Sequence, residues 1–229
     1  MSEIGTWMQQ HVLLLCAIGI IIINFSWLMC CRKLLNMKWY AALIVAVLHD
    51  IIGYSAMRIM AIIEVGGNIS QAANMRLFGA VFLLPLFYYL GAKIFKRDVK
   101  TVMDIAAICL VVGLIFGRID CLLSGCCKGM LLPWSHEYRW PLREIELIYY
   151  VLFLFAYCPK ILKGKTHGEL YPWFMITYGA LRFILEWLRV EYTTQLGMFH
   201  LAHIWSLISL GMGLSIYFEL KSKKGKERK

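Results

Sequence analysis

The sequence predicts an all-α, polytopic membrane protein with seven transmembrane helices in a single domain covering residues 1–229, its N-terminus outside and its C-terminus cytoplasmic. Three observations lead there. Of 229 residues, 60% are hydrophobic and only 17% are charged, whereas soluble domains carry about 45–50% apolar and about 25% charged residues. Mean hydropathy is +0.65, and apolar runs near the roughly 20 residues needed to cross a bilayer recur along the whole chain. Basic residues gather in alternate connections between those runs, which is how lysine and arginine mark cytoplasmic loops.

The runs cover roughly 11–30, 40–62, 76–95, 102–120, 145–162, 169–187 and 199–219. The first is expected to be a retained span and not a signal peptide. Glu3 stands where a basic n-region belongs, no small-residue cleavage site follows, and the run ends in Arg32-Lys33. The second carries His49-Asp50 deep in its apolar stretch, where a structural pairing is favoured over a proton relay. The fourth ends in a glycine-rich segment, and the sixth carries a stripe of polar residues. Connections are short, and there are no low-complexity tracts.

The net charge of +10 would suggest nucleic acid in a soluble protein; here it divides by position. Arg32, Lys33 and Lys38 follow the first run. Lys93, Lys96, Arg97 and Lys100 follow the third, and Lys160, Lys163 and Lys165 the fifth. Lys221, Lys223, Lys224, Lys226, Arg228 and Lys229 follow the seventh. These alternate segments lie on one side of seven spans, assigned to the cytoplasm. The other basic residues are Arg58, Arg76, Arg118, Lys128, Arg139, Arg143, Arg182 and Arg189, all but one arginine. They map to the outer half of a span or to an outer loop.

Arginine's planar fork suits bidentate capture of phosphate in a partly dry site. A charge within a span costs about 2.5–3.5 kcal/mol on insertion scales, so Arg58, Arg118 and Arg182 need partners or a wet cavity. Snorkelling, or pairing with Glu64, Asp120 and Glu186, is the plain alternative for any one of them. Several converging on one leaflet point to an anionic phospholipid headgroup.

Tyr178, Arg182, Glu186 and Arg189 fall at i, i+4, i+8 and i+11, one stripe of a helix. Glu186 can therefore hold Arg182 and meet Arg189. The end of the fourth run reads Gly117-Arg118-Ile119-Asp120-Cys121-Leu122-Leu123-Ser124-Gly125-Cys126-Cys127-Lys128-Gly129. Three glycines there imply a broken, tightly turning segment whose backbone can approach a ligand.

Together these segments resemble the bacterial prolipoprotein diacylglyceryl transferase family. That family's Tyr-Gly-x-x-Arg-Phe-x-x-Glu-x-x-Arg signature is matched by Tyr178, Gly179, Arg182, Phe183, Glu186 and Arg189. Its Gly-Arg-x-Gly-Asn signature is matched in part, at Gly117, Arg118, Gly125 and Gly129. Asp104-Ile105-Ala106, Arg139-Trp140-Pro141 with Glu146, and Gly53 with Arg58 supply further collinear matches. The Gly-Cys-Cys-x-Gly form is similar to a variant branch of the family.

The resemblance implies transfer of a diacylglyceryl group from phosphatidylglycerol, or a similar anionic phospholipid, to the cysteine thiol of a prelipoprotein. The setting would be the outer face of the bacterial cytoplasmic membrane. It implies no cofactor, no metal and no nucleic acid. Arg118 and Arg182, oriented by Glu186, would be the catalytic set. Tyr178, Arg189, Arg58, Arg139, Glu146, Gly117, Gly125 and Gly129 would serve substrate binding.

The chain also departs from the family pattern. Where the family carries His-Gly-Gly in its third span, this sequence has Phe78-Gly79-Ala80, and the histidine proposed as thiol base is gone. Cys121 stands for an asparagine and Cys126 for a glutamate, and the outer loop between the fourth and fifth runs is short. These departures favour, as an alternative, the same phospholipid half-reaction with another nucleophilic acceptor. A non-catalytic anionic-phospholipid binder is the third reading. His203 and His200, at the outer start of the last run, are candidate bases. Cys121, Cys126 and Cys127 are candidates for a redox bond or a nucleophile; zinc is disfavoured, because three thiols without a near histidine do not make a four-ligand set.

Overall fold

The computed structural model describes residues 3–67, 76–135, 137–165, 167–190, 195–196 and 199–227; Arg228 and Lys229 of the C-terminal basic run lie outside them. Among the described residues the fold is all-α apart from one hairpin of two-residue strands and two isolated β-bridges. Its helices are α1 (Glu3–Cys30), α2 (Trp39–Glu64), α3 (Leu77–Ile94), α4 (Val99–Ser124), α5 (Leu142–Leu162), α6 (Leu170–Glu186) and α7 (Leu201–Glu227). Strands β1 (Gln195–Leu196) and β2 (Phe199–His200) pair antiparallel between α6 and α7.

Among the described residues, six helices are long and apolar enough to cross a bilayer. The exception is α6, which has 17 residues and therefore spans only about 26 Å at 1.5 Å per residue. It stops because Trp187 and Leu188 turn the chain, with the Leu188 and Arg189 amides bonding back to Leu185 and Glu186. The polar stripe read as part of a spanning helix thus runs off the end of a short one. In contrast, α4 continues past residue 120, where the sequence places its end, to Ser124. There Gly125 closes it in the left-handed region at φ +72°. Phe199 and His200, expected to begin the seventh span, form β2 instead.

The exterior of the bundle is what a lipid solvent requires. Leu14 and Ile22 on α1, Ile44, Ile51 and Ile63 on α2, and Leu152 and Phe155 on α5 are exposed. An apolar surface so continuous does not occur on a water-soluble monomer. The core centres on α4, whose residues from Asp104 to Val112 are buried without interruption. It packs against α1, α3, α5 and α6.

Close helix approach rests on small residues, as is usual in membranes. A Cβ at Gly79 would sit 2.1 Å from the Ala56 carbonyl oxygen, and one at Gly179 would sit 2.7 Å from that of Ser206. Two polar groups join helices at points where the backbone needs help. Pro85, inside α3, has no N–H to give the Val81 carbonyl four residues earlier; the Tyr171 hydroxyl of α6 donates to it at 3.1 Å. Asp104 accepts from the amides of His167, Gly168 and Leu170 at 2.8, 2.8 and 2.9 Å. A carboxylate on α4 thereby satisfies donors that the start of α6 leaves unpaired.

The lysine-rich connections share one end of the bundle. Leu35 and Asn36, between α1 and α2, border the same cleft as Lys96, Arg97 and Thr101. Lys224 of α7 pairs with Glu169 before α6 at 2.6 Å. Asp104 ties the connection after α5 to this end as well. The glycine- and arginine-rich segments fall at the other end.

Candidate active site

At that other end, the centre of the site is a carboxylate. Glu146 projects from the second turn of α5 and is 1% exposed. It makes a short ion pair with Arg118 of α4, also 1% exposed. It also accepts from Arg182 of α6 at 2.8 Å and from Arg189 just beyond α6 at 3.5 Å. Glu186 makes a second bridge between the last two, 3.2 Å from Arg182 and 3.5 Å from Arg189. Tyr150, one turn along α5, places its hydroxyl 3.5 Å from Glu146.

The cluster therefore sets three guanidinium groups against two carboxylates and is net cationic. Burial is the first influence lowering the Arg189 pKa from its ordinary value, followed by the neighbouring Arg182 and Arg118 charges. Burial of such a set is tolerable only because each charge is paired.

An aromatic wall stands beside it. Phe78 of α3 packs edge-on to Tyr178 at 5.7 Å, and the Arg182 guanidinium lies 5.7 Å from the Phe78 ring centre. Tyr178 stacks on Phe174. The buried Tyr178 hydroxyl and the Nε atoms of Arg118 and Arg182 find no hydrogen-bond partner among the described residues.

The turn after α4 roofs this centre. Gly125 and Cys127 both adopt positive φ, +72° and +56°, folding the chain back on the helix end. Arg143 of α5 clamps the turn, donating to the carbonyls of Cys121 at 3.2 Å and Cys126 at 3.3 Å. Gly129 pairs with Arg189 in a β-bridge, and a Cβ there would meet the Trp140 carbonyl oxygen at 2.2 Å. The Cys121 thiol donates toward Cys127 at 3.9 Å. This contact, then the Arg189 and Arg118 charges, holds the Cys127 thiol below the ordinary thiol range against the opposing effect of burial.

Of the residues predicted from sequence, Arg118, Arg182, Glu186, Arg189 and Glu146 come together, with Tyr178 alongside. Gly117 lies in α4 one residue before Arg118, against Leu77. Arg139 is exposed, and its guanidinium donates to the Gly129 carbonyl at 3.2 Å, so it braces the roof from outside. Arg58 lies half-buried on α2, outside the ion pairs of Glu146 and Glu186. Glu64, weighed as a partner for an intraspan arginine, binds Arg76 at 2.5 Å. Arg118 pairs with Glu146 and not with the nearby Asp120.

His203 is fully buried among Phe183, Trp187 and Phe199. Its Nδ1 accepts from the His200 amide at 3.2 Å, and its Nε2 has no partner among the described residues. His49 is a core residue bonded to the Tyr88 hydroxyl at 2.9 Å. The reading from sequence missed the clamp by Arg143. Its signal was weak: an arginine three residues before Glu146 at a helix start, with nothing to identify backbone carbonyls as its target.

Fold and site define a membrane-embedded helical bundle with a buried, net-cationic arginine–glutamate centre near one end. The chain belongs to the prolipoprotein diacylglyceryl transferase family, whose model matches residues 14–218. It is similar to the phosphatidylglycerol–prolipoprotein diacylglyceryl transferase of Helicobacter acinonychis (strain Sheeba), 30% identical over 186 residues that cover 70% of this chain and 63% of the relative. The protein of that name from Dehalococcoides mccartyi (strain 195) is 25% identical, covering 70% of this chain and 66% of the relative. That from Clostridium tetani is 25% identical, covering 62% of each. The chain thus spans a little under two thirds of the length of these curated relatives. No solved structure matches.

Proposed function

We propose that the protein is a transferase that moves a diacylglyceryl group from phosphatidylglycerol to the cysteine thiol of a prelipoprotein. In this reading it is a single seven-span domain of the bacterial cytoplasmic membrane. Its lysine-rich end faces the cytoplasm and its site faces outward. One observation carries the reading: Arg118, Arg182 and Arg189 converge on Glu146, and with Glu186 counted the cluster keeps one positive charge in excess. A phosphodiester carries the complementary single negative charge.

The chemistry follows from that charge. Transfer breaks the bond between the diacylglyceryl carbon and the phosphate oxygen, so negative charge grows on the departing glycerol phosphate. Guanidinium groups already oriented in a water-poor site stabilise that charge without reorganising. Glu146 and Glu186 hold the forks in place, and the Tyr178 hydroxyl supplies a further donor to the headgroup.

The acceptor is less constrained. Phe78 packs against Arg182 where the family pattern has histidine, and this supports a second reading in which the same half-reaction serves another nucleophile. His203 is the nearest candidate base in kind, reached through its unpartnered Nε2. The test uses purified protein, phosphatidylglycerol labelled in its headgroup and a peptide bearing the lipobox cysteine. Peptide-dependent release of glycerol phosphate supports the first reading. Release only with a different nucleophile supports the second, and lipid binding without release under any acceptor refutes both.

A further inference from the structure

We propose that Cys121, Cys126 and Cys127 form a three-thiolate site for a thiophilic divalent cation of the zinc type. Their sulfur atoms all lie within 4.8 Å of one another. Cys127 is central, 3.9 Å from Cys121 and 3.8 Å from Cys126. Three sulfurs on a tetrahedral ion with zinc–sulfur bonds of about 2.3 Å are separated by about 3.8 Å. Two of the three sulfur–sulfur edges of such a polyhedron are thus already spaced for the ion, and the third lies within 4.8 Å. A disulfide would join two of them and leave the third unused, whereas one ion uses all three.

The surroundings are built for it. The left-handed backbone at Gly125 and Cys127 brings the second and third thiols beneath the first. Arg143 fixes the turn by holding the carbonyls of Cys121 and Cys126. Binding breaks three S–H bonds, releases three protons to solvent and forms three metal–sulfur bonds, with no change of oxidation state. The product carries one net negative charge. Arg118 stands 3.9 Å from the Cys121 sulfur, and the adjoining arginine cluster carries one net positive charge. The neighbouring guanidinium groups lower the cost of a negatively charged metal–thiolate centre beside the arginine cluster. The sequence groups the same three cysteines but disfavours zinc for want of a fourth protein ligand; here the fourth position is left to a small exogenous ligand.

The test needs neither phospholipid nor acceptor, so it stands or falls apart from the proposed reaction. Reduced protein in detergent is titrated with cadmium, whose thiolate complexes absorb in the ultraviolet. One equivalent should develop the charge-transfer band, zinc should displace it, and either metal should protect the peptide containing residues 121–127 from maleimide in the unmodified chain. The double variant Cys126→Ser/Cys127→Ser should lose the band at an unchanged elution volume, while Cys30→Ser and Cys158→Ser keep it. A band that survives in the double variant overturns the proposal. So does equal alkylation of wild-type protein with and without metal, or a Cys121–Cys127 or Cys126–Cys127 disulfide that forms in air despite excess zinc.

Discussion

With three guanidinium groups set against two carboxylates, deleting an arginine and deleting Glu146 push the cluster in opposite directions. Arg118→Ala or Arg182→Ala leaves two positive and two negative charges, a balanced set. Glu146→Gln leaves three positive charges and one negative. Breaking a buried pair so that a charge is stranded costs about 3–5 kcal/mol. Glu146→Gln should therefore lower the thermal midpoint in detergent sharply. Both arginine variants should fold, bind phosphatidylglycerol weakly and release no glycerol phosphate. If Glu146→Gln proved as stable as Arg118→Ala, the electrostatic account of the site would be wrong. Much of this centre was legible beforehand. The spacing of Tyr178, Arg182 and Glu186 depends only on helical geometry, which α6 obeys to its last turn, whereas Arg189 reaches the cluster from the turn beyond it. The dominance of Glu146 was not legible, because its partners lie on other helices and nothing local to α5 says which charges will meet it.

At the scale of elements, the bundle depends on side chains that repair other helices' backbones. The Tyr171→Phe variant strands the Val81 carbonyl beside Pro85, and an orphaned buried acceptor costs about 1–3 kcal/mol. Restoring an amide at that position with Pro85→Ala should return most of the loss, so the double variant should melt above Tyr171→Phe alone. Equal melting of the two would show that the hydroxyl is not serving that carbonyl. Asp104→Ala should free the amides of His167, Gly168 and Leu170, seen as faster hydrogen exchange confined to the start of α6. Outside the spans, the Thr101 hydrogen bond and amide hold the Asp98 carboxyl below its ordinary value. Its capping contribution should be present at neutral pH and fade on acidification through that lowered value. Helix existence could be read from apolar runs, but Pro85 and Asp104 acquire partners only through tertiary packing. The end of α6 likewise escaped the pattern, since hydrophobicity continues through Trp187 and Leu188 while the backbone turns.

For the whole molecule, the proposed orientation places Cys30 and Cys158 near the cytoplasmic face and Cys126 near the outer one. A membrane-impermeant maleimide applied to intact cells with reduced, metal-free protein should label Cys126 and spare Cys30, which is exposed at the end of α1. Permeabilisation should then open Cys30. The reverse order would invert the topology. The sharing of Glu146 among helices also has a consequence for biosynthesis. Helix α4 leaves the ribosome before α5, so Arg118 enters the bilayer before its counter-ion has been made. An arginine in a span disfavours insertion by up to about 2.5–3.5 kcal/mol at its centre and by less toward its end, where Arg118 lies, and α4 has apolarity to offset it, ranking second only to α1 among the six membrane-length helices. Helix α6 is shorter and brings two more arginine contacts, but it arrives after both Asp104 and Glu146 are in place. Its entry into the membrane is thus templated by helices already there, and truncating the chain after α4 should leave a stable insertion intermediate, whereas deleting α5 should leave α6 outside.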